Sequence, residues 1–128
     1  LKTAYDLFLA LGLQTLEMEA DEHDQHLAYV SHLSHVSSFM LGLAVLNREK
    51  DASNILNLAG TGFASTVRLA KSLPETWLPI FNSNRNYVLD ALDTYIECLT
   101  KFSTALKNED DEGLYRLMLE ANEIKKIL

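Results

Sequence analysis

The run from His26 to Leu46 holds no proline and a single glycine, Gly42, and it is apolar over most of its length. Such a run predicts one long helix, opened by the acidic residues of Asp21-Glu22-His23-Asp24 and continuing to about Glu49, roughly 40 Å in all. Its second half, Val36-Ser37-Ser38-Phe39-Met40-Leu41-Gly42-Leu43-Ala44-Val45-Leu46, is apolar on nearly every side, as a fully buried helix is. A chain built on a helix of that length has to supply other helices to cover it. At the middle of the run stands Tyr29-Val30-Ser31-His32-Leu33-Ser34-His35-Val36. Residues four apart share a face, so Ser31 and His35 point the same way while His32 and Ser34 point elsewhere. Polar groups in such company either bond within the protein or face a pocket, and spacing alone leaves both open.

Composition narrows the function. With 128 residues, 48% hydrophobic and 23% charged, the chain amounts to one ordinary folded unit. A net charge of −7 provides no basic stripe for phosphates and speaks against nucleic acid. Uninterrupted apolar runs reach only about half the roughly 20 residues that a membrane span requires, so no membrane association is expected. The single cysteine, Cys98, allows no internal disulfide; it reads as a buried structural thiol in a reducing, cytoplasmic compartment. The chain starts on Leu1, inside a helix already under way and with no signal peptide, so it reads as a piece of a longer protein.

Along the chain, Ala4 to Leu13 carries helical apolar spacing that ends near Gly12. Gln14 to Met18 alternates in a way that suits a short strand, yet no other segment could pair with it. After the long helix, Asp51 to Asn54 is a polar break. Gly60 and Gly62 mark a tight turn or a close backbone approach, and a helix from Phe63 to Ser72 carries Arg68. Pro74 opens a short helix through Trp77, Ile80 and Phe81. From about Ser83 to Lys107, Val88, Leu92, Tyr95, Leu99, Phe102 and Leu106 step by four and three, a heptad seam that must meet a long helix of this chain or of a second copy. A last helix follows the acidic turn Asn108 to Glu112. The fold class is all-α, a helical bundle with two long helices.

The four histidines form two i,i+3 pairs, His23/His26 and His32/His35, but no Glu-x-x-His and no second cysteine accompanies them, so no metal site is expected. Gly60-Thr61-Gly62 lacks the third glycine and the strand of a dinucleotide fingerprint. Arg68, among Val67, Leu69 and Ala70, calls for an anion, which is either an internal carboxylate or a ligand.

Glu22-His23-Asp24, Ser31-His32-Leu33-Ser34-His35, Gly62-Phe63 with Arg68-Leu69-Ala70, and then Trp77, Ile80 and Asn84 together resemble the C-terminal helical domain of the prephenate dehydrogenase family. The resemblance implies an NAD(P)-dependent enzyme of tyrosine biosynthesis that oxidatively decarboxylates prephenate to 4-hydroxyphenylpyruvate. On that reading residues 1–20 are the tail end, a helix and a strand-like linker, of a dinucleotide-binding domain. Residues 21–128 are then a homodimerising domain that walls the substrate cleft. The resemblance implies that NAD or NADP and the catalytic histidine belong to the other domain. Ser31, His35, Arg68 and Trp77 become substrate-binding residues, with Arg68 on a carboxylate. Ser34 stands where the family has Pro, and Ala64, Ser65 and Val67 stand where it has Arg, Asp and Thr. Two alternatives stay open: a domain for arogenate, and a helical dimerisation module without a ligand site.

Overall fold

The computed structural model describes residues 2–51 and 54–128, and the chain is all-α. Helix α1 spans Lys2–Ala10 and ends at Gly12, whose φ of +70° is the left-handed conformation that glycine adopts without strain. Residues 13–19 then run without regular structure. The strand expected at Gln14 to Met18 does not form, because no second strand exists among the described residues to share its backbone hydrogen bonds.

The long helix is present but interrupted. Helix α2 (Ala20–Leu27) passes into a π-helical turn, Ala28–His32, before α3 (Leu33–Asp51) resumes. In the turn Leu33 N–H reaches back five residues to Ala28 C=O, and the following carbonyls are displaced from the α ladder. Side chains from the next turn bond two of them: Ser34 Oγ donates to Val30 C=O at 3.2 Å, and His35 Nδ1 bonds Ser31 C=O at 3.0 Å. Ser34 stands where the family has Pro, and the irregularity of this helix is the π turn just before it. By length and composition alone Ala20–Lys50 is long and apolar enough to cross a bilayer, which the short uninterrupted apolar runs did not reveal; a core helix of a folded protein meets the same criterion. The polar break expected at Asp51 to Asn54 lies partly outside the described residues; beyond it, Glu49 accepts the Asn54 and Leu56 N–H groups at 2.9 and 3.0 Å.

Helix α4 (Thr61–Thr66) is shorter than expected, and Arg68 lies after it, on the 3₁₀ turn Arg68–Lys71. The glycines before it are not a strained turn. Gly60 caps α4 with an extended backbone, and a Cβ at Gly60 or Gly62 would meet nothing within 4 Å. Helix α5 (Pro74–Ser83) starts on Pro74, where the missing N–H costs no helical bond. Helix α6 (Arg85–Lys107) is stopped by Glu109 at φ +53°, and Asp110 then caps α7 (Asp111–Ala121) by accepting Gly113 N–H at 2.9 Å.

Helix α2 and the π turn lie against the first half of α6. The fully buried Ala28 and Ala91 sit on these two elements, and residues this small let helices approach closely. Hydrogen bonds tie the same crossing, among them Tyr87 Oη to Asp21 at 2.7 Å, Tyr29 Oη to Asp90 at 3.1 Å, and Asn84 Nδ2 to Asp24 C=O at 2.7 Å.

What the fold lacks is an interior. Among the described residues no large side chain is fully buried, and the chain exposes 10366 Å². A compact monomer of this mass exposes about 6,800 Å², so roughly 3,500 Å² awaits cover. The seam of α6 shows where: Leu99 is 53% exposed and Phe102 40%. Cys98, expected to be buried, is exposed on the same stretch of helix.

Candidate functional site

Four aromatic rings gather where the π turn faces α5. The His35 ring stacks on Trp77 with centroids 3.4 Å apart and planes 26° off parallel. His32 meets Trp77 edge-on at 6.1 Å and Phe81 at 6.4 Å, while Trp77 and Phe81 lie 5.4 Å apart. Beside the stack an apolar groove of about 440 Å³ opens between α3 and α5, lined by Val36, Phe39, Met40, Trp77 and Phe81 among others.

The two histidines are held in opposite senses. A carbonyl only accepts, so the bond from His35 Nδ1 to Ser31 C=O places a proton on Nδ1 and leaves Nε2 as the free nitrogen. His32 is buried, at 7% exposure, and its Nδ1 lies 3.1 Å from Asn84 Nδ2. Asn84 Nδ2 also donates to Asp24 C=O, which identifies it as the amide NH₂ group. His32 Nδ1 therefore accepts, and its proton resides on Nε2.

Burial is the largest force on the His32 ring and lowers its pKa from the ordinary value; the Asp24 carboxylate opposes the shift, and His35 and His23 reinforce it. The folded state thus binds fewer protons here than the unfolded chain. His32's contribution to stability is complete above the unfolded imidazole pKa of about 6.5 and is lost as pH falls through the depressed folded value. The thermal midpoint is expected to drop between about pH 7.5 and about pH 5.5, and to drop less in His32→Gln, whose side chain never charges. Equal drops in melting scans of the two proteins would remove this ring from the acid response.

Ser38, 2% exposed, positions Arg68. Its hydroxyl donates to Thr66 C=O at 3.1 Å and accepts Ala70 N–H at 3.0 Å, holding the backbone on both sides of the arginine against α3. Gly42, one turn further on, faces the same segment: a Cβ there would stand in ordinary contact, 3.6 Å from Ala70 Cβ. Ser38→Ala leaves the part-buried Thr66 C=O and Ala70 N–H without this partner and is expected to cost roughly 1–3 kcal/mol in denaturant unfolding at fixed protein concentration. An unchanged midpoint would show that neither bond matters.

Of the four residues singled out in the sequence, Ser31, His35 and Trp77 meet directly. His35 reaches the Ser31 backbone carbonyl rather than its hydroxyl. Arg68 shares no hydrogen bond with them; it is exposed, on a turn that Ser38 docks to the same helix. Among the described residues Arg68 makes no ion pair. Sequence reasoning passed over His32 and Ser38 as site residues and gave Asn84 no role. The available signal was a polar residue in an apolar run, which marks a bond without naming its partner. Among the described residues no cluster of three metal-ligating side chains occurs.

Comparison with known proteins bears on what this site belongs to. Residues 19–120 match the family model described as prephenate dehydrogenase, dimerization domain. The prephenate dehydrogenase of Bacillus subtilis (strain 168) is 29% identical over 110 residues, which is 86% of this chain and 30% of that protein. Synechocystis arogenate dehydrogenase superposes with a TM-score of 0.81 at 25% identity, covering 98% of this chain and 46% of the other. Prephenate dehydrogenase from A. aeolicus, solved in complex with hydroxyphenyl propionate and NAD+, superposes with a TM-score of 0.85 at 26% identity, covering 98% of this chain and 44% of the other. The chain spans less than half the length of each of these relatives. With the family model covering most of the chain and whole-chain superpositions agreeing with it, this chain belongs to the prephenate dehydrogenase family and carries its dimerization domain.

Proposed function

We propose that this chain is the dimer-forming, substrate-facing part of an NAD(P)-dependent enzyme that oxidatively decarboxylates prephenate to 4-hydroxyphenylpyruvate. The observation that carries the reading is Arg68: an exposed guanidinium without an acid partner among the described residues, set on a turn docked beside the His35–Trp77 stack. Prephenate is a dianion with a six-membered ring, and in a chain of net charge −7 a local cation has to receive it. Arg68 would grip a carboxylate, Trp77 with His35 would offer the ring a flat wall, and Ser31 with the free His35 nitrogen would meet polar atoms of the side chain.

Among the described residues there is no strand, hence no strand, glycine turn and helix to cradle a dinucleotide. The cofactor, NAD or NADP, would be held by the portion of the relatives that this chain does not span, together with the catalytic histidine. When bound, its nicotinamide accepts the hydride. Residues 1–20 would be the end of that domain; α1 buries none of its residues, and the family match begins only at residue 19. The purified 128-residue chain is accordingly expected to turn over no substrate, and measurable turnover would sink this division of labour.

The exposed apolar faces of α3 and α6 would be covered by a second copy rather than by lipid. Support comes from the polar ties between the long helix and α6 through Tyr29, Asn84 and Tyr87. A cytoplasmic enzyme with no nucleic-acid partner fits the acidic chain and its single, exposed cysteine. Arogenate is the second reading of the substrate, supported by the likeness to the Synechocystis enzyme. The deciding experiment is a titration with 4-hydroxyphenylpyruvate followed by NMR at the His35 ring. Saturable shifts at His35 are expected. None at millimolar ligand would leave a dimerisation module with no ligand site.

A further inference from the structure

We propose that Asn84 is a positioning residue that holds His32 as a neutral imidazole whose Nε2–H donates to an oxygen of the bound ligand. The inference rests on the substrate-site reading above for the ligand's identity, and on this chain's geometry for everything else.

Asn84 and His32 are both 7% exposed, stand 52 residues apart, and lie on different elements. The amide spends one N–H on Asp24 C=O at 2.7 Å and the other on His32 Nδ1 at 3.1 Å. The first bond orients the second, because an amide turned over would set its oxygen against the Asp24 carbonyl. His32 Nδ1 is thereby committed as an acceptor, and a neutral ring then carries its proton on Nε2. Among the described residues no buried side-chain nitrogen or oxygen lacks a partner, and none of them bonds His32 Nε2. The nitrogen left at the surface of this ring is therefore Nε2. That edge belongs to the ring set against Trp77, the aromatic on which His35 stacks.

The chemical consequence is selectivity by polarity. A fixed N–H reads a carbonyl or carboxylate oxygen and offers nothing to an ammonium, which has only hydrogens to give. His35, protonated on Nδ1 by its bond to Ser31 C=O, presents the opposite polarity when neutral. One ring donates and its neighbour accepts, and the amide of Asn84 maintains that difference. The ligand class suited to His32 is a keto acid.

The test uses the intact protein labelled with ¹⁵N-histidine, with 4-hydroxyphenylpyruvate as the probe. In the wild type at neutral pH, His32 Nδ1 is expected to resonate as an unprotonated ring nitrogen and Nε2 as a protonated one; the reverse pattern overturns the proposal. Asn84→Asp, which replaces the donor by an acceptor, is expected to bring a proton onto Nδ1, and an unchanged Nδ1 signal overturns it equally. Where Asn84→Asp does not fold, Asn84→Ala is read instead. Its Nδ1 is expected to move toward an average of the two tautomers, again with no movement counting against. In the wild type, ligand should shift the His32 Nε2–H and slow its exchange with water. Ligand that binds, shifting His35 but leaving His32 Nε2–H untouched, ends the donor role. Ligand that shifts neither ring, from a protein without turnover, sinks the dehydrogenase reading instead, and the tautomer measurements still decide the part played by Asn84.

Discussion

Placing aspartate at both Leu99 and Phe102 is expected to convert a stable dimer into monomers that lose much of their helix. The expectation follows from how little this chain buries by itself. It exposes 10366 Å², and among the described residues no large side chain is fully buried. The excess over a compact monomer, roughly 3,500 Å² per chain or about 7,000 Å² for a pair, is more than the roughly 2,000 Å² in total at which obligate interfaces begin. Leu99 and Phe102, at 53% and 40% exposure, lie on the seam of α6 that the chain leaves open. Symmetry doubles each substitution, so four carboxylates would enter one apolar contact. Burying even one unpaired charge costs several kcal/mol, more than such a contact can offset. Because obligate dimers often have no stable folded monomer, helix content should fall together with mass. Light scattering and circular dichroism on the same samples read both quantities. A wild-type protein that is monomeric at micromolar concentration, or a double variant that stays dimeric and helical, would refute this use of the seam.

The second large effect is expected at Arg68. In the intact enzyme Arg68→Lys keeps the charge but loses the planar fork that makes two parallel bonds to a carboxylate. Binding should weaken by roughly 1.5–3 kcal/mol, the range for a charge-assisted hydrogen bond. The loss should appear chiefly as a raised KM, since a carboxylate remote from the reacting bond is gripped alike in ground and transition states. Stability should barely change, because the side chain is exposed and makes no ion pair among the described residues. Ser38→Ala offers the contrasting pattern, with the Arg68 side chain intact but its supporting turn released and the midpoint lowered. A normal KM for Arg68→Lys with a melting point many degrees lower would assign the residue to packing and end the anchor reading.

These two expectations differ in how far each could be read from residues alone. The α6 seam was visible as a period, since Val88 to Leu106 repeats at the spacing of a helix face whatever covers it. Whether the cover came from this chain or another was not visible. The Arg68 reading had two outcomes in sequence, and among the described residues no ion pair supports the internal one. Some misses were local: the strand at Gln14 to Met18 and the helix through Arg68 both followed from favourable patterns that tertiary contacts overrode. A strand without a partner has no bonds to make, and the helix after Thr66 yields to a 3₁₀ turn where Ser38 takes the Thr66 carbonyl and the Ala70 N–H.

The sequence by itself determined the all-α class, the long helix, the face that carries the seam, and the segments that would hold Ser31, His35 and Trp77. Helix period and apolar pattern are local properties, and they are written within a few turns of chain. Only the tertiary structure decided that His32 would be the buried histidine and His35 the stacked one. It also decided that a π turn would break the helix between them, and that Asn84 and Ser38 would hold the polar groups in place. Each of those outcomes depends on a partner far along the chain: Asn84 for His32 and Trp77 for His35 from later helices, and the Thr66–Ala70 backbone for Ser38. A buried polar atom must find a partner, but its own neighbours in sequence do not say which group that partner is.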